Sequence, residues 1–202
     1  MARKYNFYAG PSTLPMAVLK ELQEELVDYQ GHGLSMIETS HRSKMYEQVH
    51  NDAISLLREL LAVPEDREIL FLGGGATLQF SMVPMNFLGN HKSCDIVVGG
   101  AWAKKALSDA QKLGTVNVLF DGAESHYTSL PDPADVRPHE DAAYLHITSN
   151  ETIGGLQWQE FPDTGSVPLV CDMSSDIAGR RVPMEKFDLE YETHDEEPPH
   201  PI

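Results

Sequence analysis

The sequence predicts an α/β fold, with a mainly parallel sheet flanked by helices, on three observations. Short apolar runs of strand type, at 69–72, 95–98, 116–119, 143–147 and 168–171, alternate with segments of helical period. Most of these runs carry few polar residues, as strands buried on both faces do. Glycine, hydroxyl, amide or acidic residues follow them at Gly73–Thr77, Gly99–Trp102, Thr148–Thr152 and Asp172–Ser175. Ligands in such sheets sit at the carboxyl ends of strands.

The elements follow in order. Residues 5–15 are rich in turn formers, and Pro15 stands where a first helical position belongs, with Ser12 or Thr13 near the cap. Val18, Leu19, Leu22 and Leu26 recur at helical spacing, which predicts a helix over 15–29 ended by Gly31-His32-Gly33. Residues 34–43 show neither period and read as a loop. Tyr46, Val49, Ala53, Leu56, Leu57 and Leu60 form the stripe of a second helix, closed by Pro64. The apolar run 69–72 predicts a strand that breaks at Gly73-Gly74-Gly75, and a helix then runs to about Phe87. A turn at 89–92 leads into the strand 95–98. Trp102 opens the next helix, and 116–119 is another strand. Proline and acidic residues make 121–139 a long loop with at most a turn of helix. The strands 143–147 and 168–171 complete the pattern, the second ending at Asp172.

Composition narrows the function. A chain of 202 residues is long enough for one good core, or a large domain plus a fragment of another. The net charge of −16 argues against nucleic acid and against anionic membrane surfaces. No run approaches about 18 apolar residues, and no signal-type apolar block follows Met1–Tyr5, so the chain is expected in the cytoplasm, off the membrane. Cys94 and Cys171 are far apart, and the histidines fall in no metal-binding spacing, so neither a disulfide framework nor a metal site is expected.

The glycine break at 73–75 suggests a phosphate cup. Glycine lets backbone N–H groups approach an oxyanion, and a helix start adds partial positive charge. The stretch lacks the Gly-Lys-Ser/Thr of a nucleotide P-loop and the spaced glycines of a dinucleotide fingerprint. A tight turn without ligand is the alternative. A phosphate cup, an indole, a threonine and an aspartate at neighbouring strand ends together suit pyridoxal phosphate. In that reading Trp102 stacks on the pyridine ring and Thr152 bonds the ring hydroxyl. Asp172 keeps the ring nitrogen protonated, which makes the ring an electron sink. Packing of Trp102 against the sheet, an N-cap role for Asp172, and a solvated His41-Arg42 loop are the plainer alternatives.

Six stretches in order carry a resemblance. They are Asn6-Phe7-Tyr8-Ala9-Gly10-Pro11, Glu38-Thr39-Ser40-His41-Arg42-Ser43, Phe71 to Phe80 with Val83-Pro84-Met85-Asn86, Gly99-Gly100-Ala101-Trp102, Thr148 to Gly155, and Asp172-Met173-Ser174-Ser175-Asp176. Over roughly residues 5–189 the chain resembles the phosphoserine aminotransferase family, class-V enzymes of fold-type I that use pyridoxal 5′-phosphate. The resemblance implies interconversion of phosphoserine plus 2-oxoglutarate with 3-phosphohydroxypyruvate plus glutamate, in serine biosynthesis, by a homodimer. It implies that Gly75, Ala76 and Thr77 hold the cofactor phosphate, and that Trp102, Thr152 and Asp172 hold the ring. It also implies that His41 and Arg42 hold a substrate carboxylate or phosphate, a task that suits an arginine fork. Position 77 is Thr where some members carry Arg.

The resemblance stops after Phe187-Asp188-Leu189. In register from Asp188, the lysine that bonds the cofactor in the family falls near Glu196, so no catalytic residue is assigned. Three segments are expected: an arm at 1–15, an incomplete cofactor-binding large domain at 16–189, and an acidic, proline-rich, disordered tail at 190–202. The resemblance thus implies a shortened chain with impaired chemistry. The alternative function is a non-catalytic chain that docks on a full-length subunit. Loss of neighbouring strands is expected to turn Leu169-Val170 or 96–98 into a sheet edge.

Overall fold

The computed structural model describes residues 3–7, 13–89 and 93–192. The chain divides into two compact units, 1–69 and 70–202.

In the first unit, α1 covers Met16–Glu25 and α2 covers Lys44–Leu61. The expected helix over 15–29 stops early because Asp28 starts a tight turn. Its Oδ1 accepts the Gly33 N–H at 2.6 Å, and Tyr29 N–H reaches the Leu34 carbonyl at 2.9 Å. The loop at 34–43 contains one short 3₁₀ turn, Met36–Glu38, held by a Ser35/Glu38 capping box. The hydroxyl of Ser43 caps α2 by accepting the Tyr46 N–H at 3.1 Å. Its other end closes at Ala62, whose φ is 54°, while Arg58 donates to the carbonyls of Pro64 at 2.6 Å and Arg67 at 2.8 Å. Neither helix contains a buried residue.

The second unit holds the sheet. Helix α3 is Gly75–Phe87 and α4 is Ala101–Ala110. The strands are β1 (Ser93–Val98), β2 (Thr115–Asp121), β3 (Leu145–Thr148), β6 (Leu169–Asp172) and β7 (Leu189–Tyr191), with β4 (Asn150–Glu151) and β5 (Leu156–Gln157) forming a separate antiparallel pair. The main sheet runs β2-β1-β3-β6-β7, and every pairing in it is parallel. Alternation along the strands divides the core between two faces. Ile96, Val98 and Val170 join Ala76, Phe80 and Ala103 in one apolar cluster. Val97, Leu145, Ile147, Leu169 and Cys171 join Phe161 and Phe187 in the other. Both faces are therefore covered, as a parallel sheet requires.

Three expectations are corrected. Residues 69–72 form no strand, and Leu70, Phe71 and Leu72 are 71%, 54% and 56% exposed. An apolar run becomes a strand only when a neighbour takes its N–H and C=O groups, and among the described residues the edges β2 and β7 are not paired with it. Leu169-Val170 and 96–98 are not edges either, because β6 lies between β3 and β7, and β1 between β2 and β3. Finally, Glu190 and Tyr191, expected in the tail, are the last residues of β7. There the Tyr191 hydroxyl meets His146 Nε2 at 2.8 Å and its ring packs edge-on against Phe80. The rest of the tail from 193, the turn residues 90–92 and part of the arm, 8–12, lie outside the described residues.

Candidate functional site

Gly75, Ala76 and Thr77 form the first turn of α3. The preceding Gly74 has φ 101°, and a Cβ there would lie 2.3 Å from Leu78 Cδ2, so a side chain fits neither the backbone nor the space. Among the described residues no side chain caps this helix. Ala76 is buried and Thr77 is exposed, so the turn carries one foot in the core and one hydroxyl outside.

Trp102 is the second residue of α4, which starts directly after β1 and its glycines. It is half-buried, with Lys105 Nζ 4.2 Å from its ring centroid. Its Nε1 is buried without a hydrogen-bond partner among the described residues. Thr152, also half-buried, opens the turn between β4 and β5. The residue before it, Glu151, reaches across to α4 and accepts the N–H of Trp102 at 2.9 Å and of Ala103 at 2.9 Å. One buried carboxylate therefore ties the Trp102 and Thr152 segments together.

Asp172 ends β6, in register with Thr148 at the end of β3. Its Oδ1 accepts from the Ser174 N–H at 3.0 Å and the Ser174 hydroxyl at 2.6 Å. Burial pushes its carboxyl above the ordinary carboxylate range; the Ser174 donors pull it down, while the negative charges of Glu151 and Asp176 push it further up. Behind it, Ser149 Oγ lies within hydrogen-bond reach of the Asp172 carbonyl, at 3.0 Å, and of the Asp176 carboxylate. Asp176 is also met by Gln157 Nε2 at 3.1 Å and by Arg180 at 3.5 Å.

The second unit thus contains Gly75, Ala76, Thr77, Trp102, Thr152 and Asp172. His41 and Arg42 belong to the first unit, where both are exposed and Arg42 donates its backbone N–H to Ser40 Oγ at 3.2 Å. Glu196 lies outside the described residues. Sequence reasoning passed over Glu151 and the Ser149–Asp176 pair, although all three stood inside quoted stretches. The available signal was a Glu one residue before the chosen Thr, in a segment that follows a buried strand.

The class-V aminotransferase profile matches residues 4–191. The phosphoserine aminotransferase of Lysinibacillus sphaericus is 50% identical over 189 residues, which is 94% of this chain and 52% of that protein. That of Geobacillus kaustophilus is 53% identical over 191 residues, 95% of this chain and 53% of its own length. Among solved structures, the phosphoserine aminotransferase of Bacillus circulans subsp. alkalophilus superposes with a TM-score of 0.92 at 48% identity, covering 94% of this chain and 53% of that one. The chain spans about half the length of these relatives. With the profile matched over residues 4–191 and relatives about half identical, the chain belongs to the class-V aminotransferase family.

Proposed function

We propose that this chain carries the cofactor-holding part of a phosphoserine aminotransferase, the enzyme that exchanges phosphoserine and 2-oxoglutarate with 3-phosphohydroxypyruvate and glutamate. Asp172 is the observation that carries the reading. A carboxyl group buried at a strand's carboxyl end, with its ionised form disfavoured by burial, has no cationic partner among the described residues. A pyridinium N–H is a group of the right charge and donor character.

The other residues fit the same cofactor, pyridoxal 5′-phosphate. The uncapped start of α3 offers the amides of its first turn and the Thr77 hydroxyl to a phosphate. Trp102 offers a half-buried indole whose N–H has no partner among the described residues. Thr152 brings a hydroxyl one residue beyond Glu151. Bound pyridoxal phosphate supplies an electron sink for the carbanion left when an amino acid loses its α-proton. The residues present here would bind and orient it: Asp172 would accept from a ring N–H, Trp102 would cover a ring face, and the α3 start would donate to a phosphate. His41 and Arg42 are assigned to a substrate carboxylate or phosphate. A homodimer and a cytoplasmic location belong to the same proposal; among the described residues no helix is long and apolar enough to cross a membrane.

Calorimetry with pyridoxamine 5′-phosphate tests the reading on the 202-residue chain. Binding is expected to be lost with pyridoxamine lacking the phosphate, and to weaken about tenfold in Asp172→Asn. Equal affinity for both compounds, or an unchanged Asp172→Asn, would refute it. Turnover of phosphoserine by this chain alone is expected to be absent, since Glu196 falls where the family has its lysine.

A further inference from the structure

Among the described residues Trp102 makes no hydrogen bond through its indole; Lys105 stands over its ring, and the placement of the whole side chain starts from the backbone that carries it. That backbone is gripped from a distance. Glu151 is 2% exposed, lies 49 residues away in sequence, and places Oε2 on the Trp102 N–H and Oε1 on the Ala103 N–H, each at 2.9 Å. Here the two consecutive amides meet two separate acceptor atoms, one each. A carboxylate has them, whereas a glutamine offers one acceptor and turns a donor toward the other N–H. The fit is close on the far side as well: a Cβ at Gly100 would lie 2.6 Å from Glu151 Oε2 and Cδ. The φ of Gly100, 179°, is extended and open to any residue, so what excludes a side chain there is the carboxylate.

We propose that Glu151 is a positioning residue for Trp102: its buried carboxylate clamps the first turn of α4, sets where the indole stands, and fills the start of this helix with the protein's own anion. A ligand phosphate then finds the start of α4 taken and the start of α3 open. That the indole so held covers a cofactor ring rests on the function proposed above; that Glu151 holds it does not.

Labelling with 5-fluorotryptophan gives two fluorine resonances, from Trp102 and Trp158, assigned with Trp102→Phe. In Glu151→Gln the Trp102 resonance is expected to shift by more than its linewidth while that of Trp158 stays. Gly100→Ala, which pushes on the carboxylate from the other side, is expected to do the same. Affinity for pyridoxamine 5′-phosphate should fall about tenfold in either variant. A Trp102 resonance unmoved in a folded Glu151→Gln or Gly100→Ala chain would reduce Glu151 to a helix cap and overturn the proposal. A shifted resonance with unchanged affinity would overturn its link to the ligand. Absence of pyridoxamine 5′-phosphate binding in the unaltered chain would refute the proposed function alone, since the resonances still judge Glu151.

Discussion

Helices α3 and α4 both start next to glycine and share one apolar cluster, yet their first turns are completed differently. At α4 the protein supplies the anion: Glu151 satisfies two amides. At α3 no side chain among the described residues does so, and Gly74 shapes the backbone through a φ of 101°. A helix start leaves unpaired donors and partial positive charge in either case. The difference teaches that a helix start capped from within is a structural joint, while one left open is available to an outside anion.

The largest effect should come from breaking the closed start. Glu151→Ala leaves two amides without an acceptor, and at about 1–3 kcal/mol for each buried unsatisfied group the chain should lose roughly 2–6 kcal/mol in urea unfolding. A loss below about 0.5 kcal/mol, the range of neutral surface changes, would show that solvent replaces the carboxylate and would erase the contrast.

Next comes the open start. Gly75 has φ 61°, where a side chain is strained by about 1–2 kcal/mol. Gly75→Val should therefore destabilise the chain by about that much and remove its affinity for pyridoxamine 5′-phosphate. Retained affinity in calorimetry would take the phosphate away from α3.

Acid titration sharpens the comparison through two buried groups of opposite sign. Burial lowers His146 to about 4 from an ordinary 6.5. The unfolded chain then binds the extra proton between these values, so stability rises with pH across that window, by at most about 3 kcal/mol. Asp172 is raised, so the folded chain holds its proton longer. Its contribution is complete below the ordinary 3.8 and is lost as pH rises through the raised value. His146→Gln should flatten the rise between pH 4 and 6.5. Asp172→Asn should make the ligand-free chain more stable than the unaltered one at neutral pH. Urea midpoints across pH 4–7 check both, and a steeper slope in His146→Gln would reverse the assignment.

The smallest effect belongs to Thr77, exposed at the open start. Thr77→Ala should leave stability within about 0.5 kcal/mol and weaken pyridoxamine 5′-phosphate only a few-fold. A large stability loss would mean that α3 is capped after all.

Much of this was legible in the chain. Periodicity located α1 and α2, because side-chain spacing reports which face a segment buries; the glycine breaks marked where α3 and α4 start, and apolar runs located β1, β2, β3 and β6. Trp102, Thr152 and Asp172 were singled out because they follow such segments, and Gly75 and Thr77 because they follow the run 69–72, which forms no strand. Pairing was not legible. The run 69–72 has strand composition but no partner among the described residues, while the less apolar Leu189-Glu190-Tyr191 joins the sheet through β6. Only the tertiary structure decided that, since a strand's backbone bonds belong to its neighbour. It also decided the role of Glu151, whose two amides lie 49 and 48 residues away. Composition fixes what a residue offers, but which distant donors it meets depends on how the segments pack.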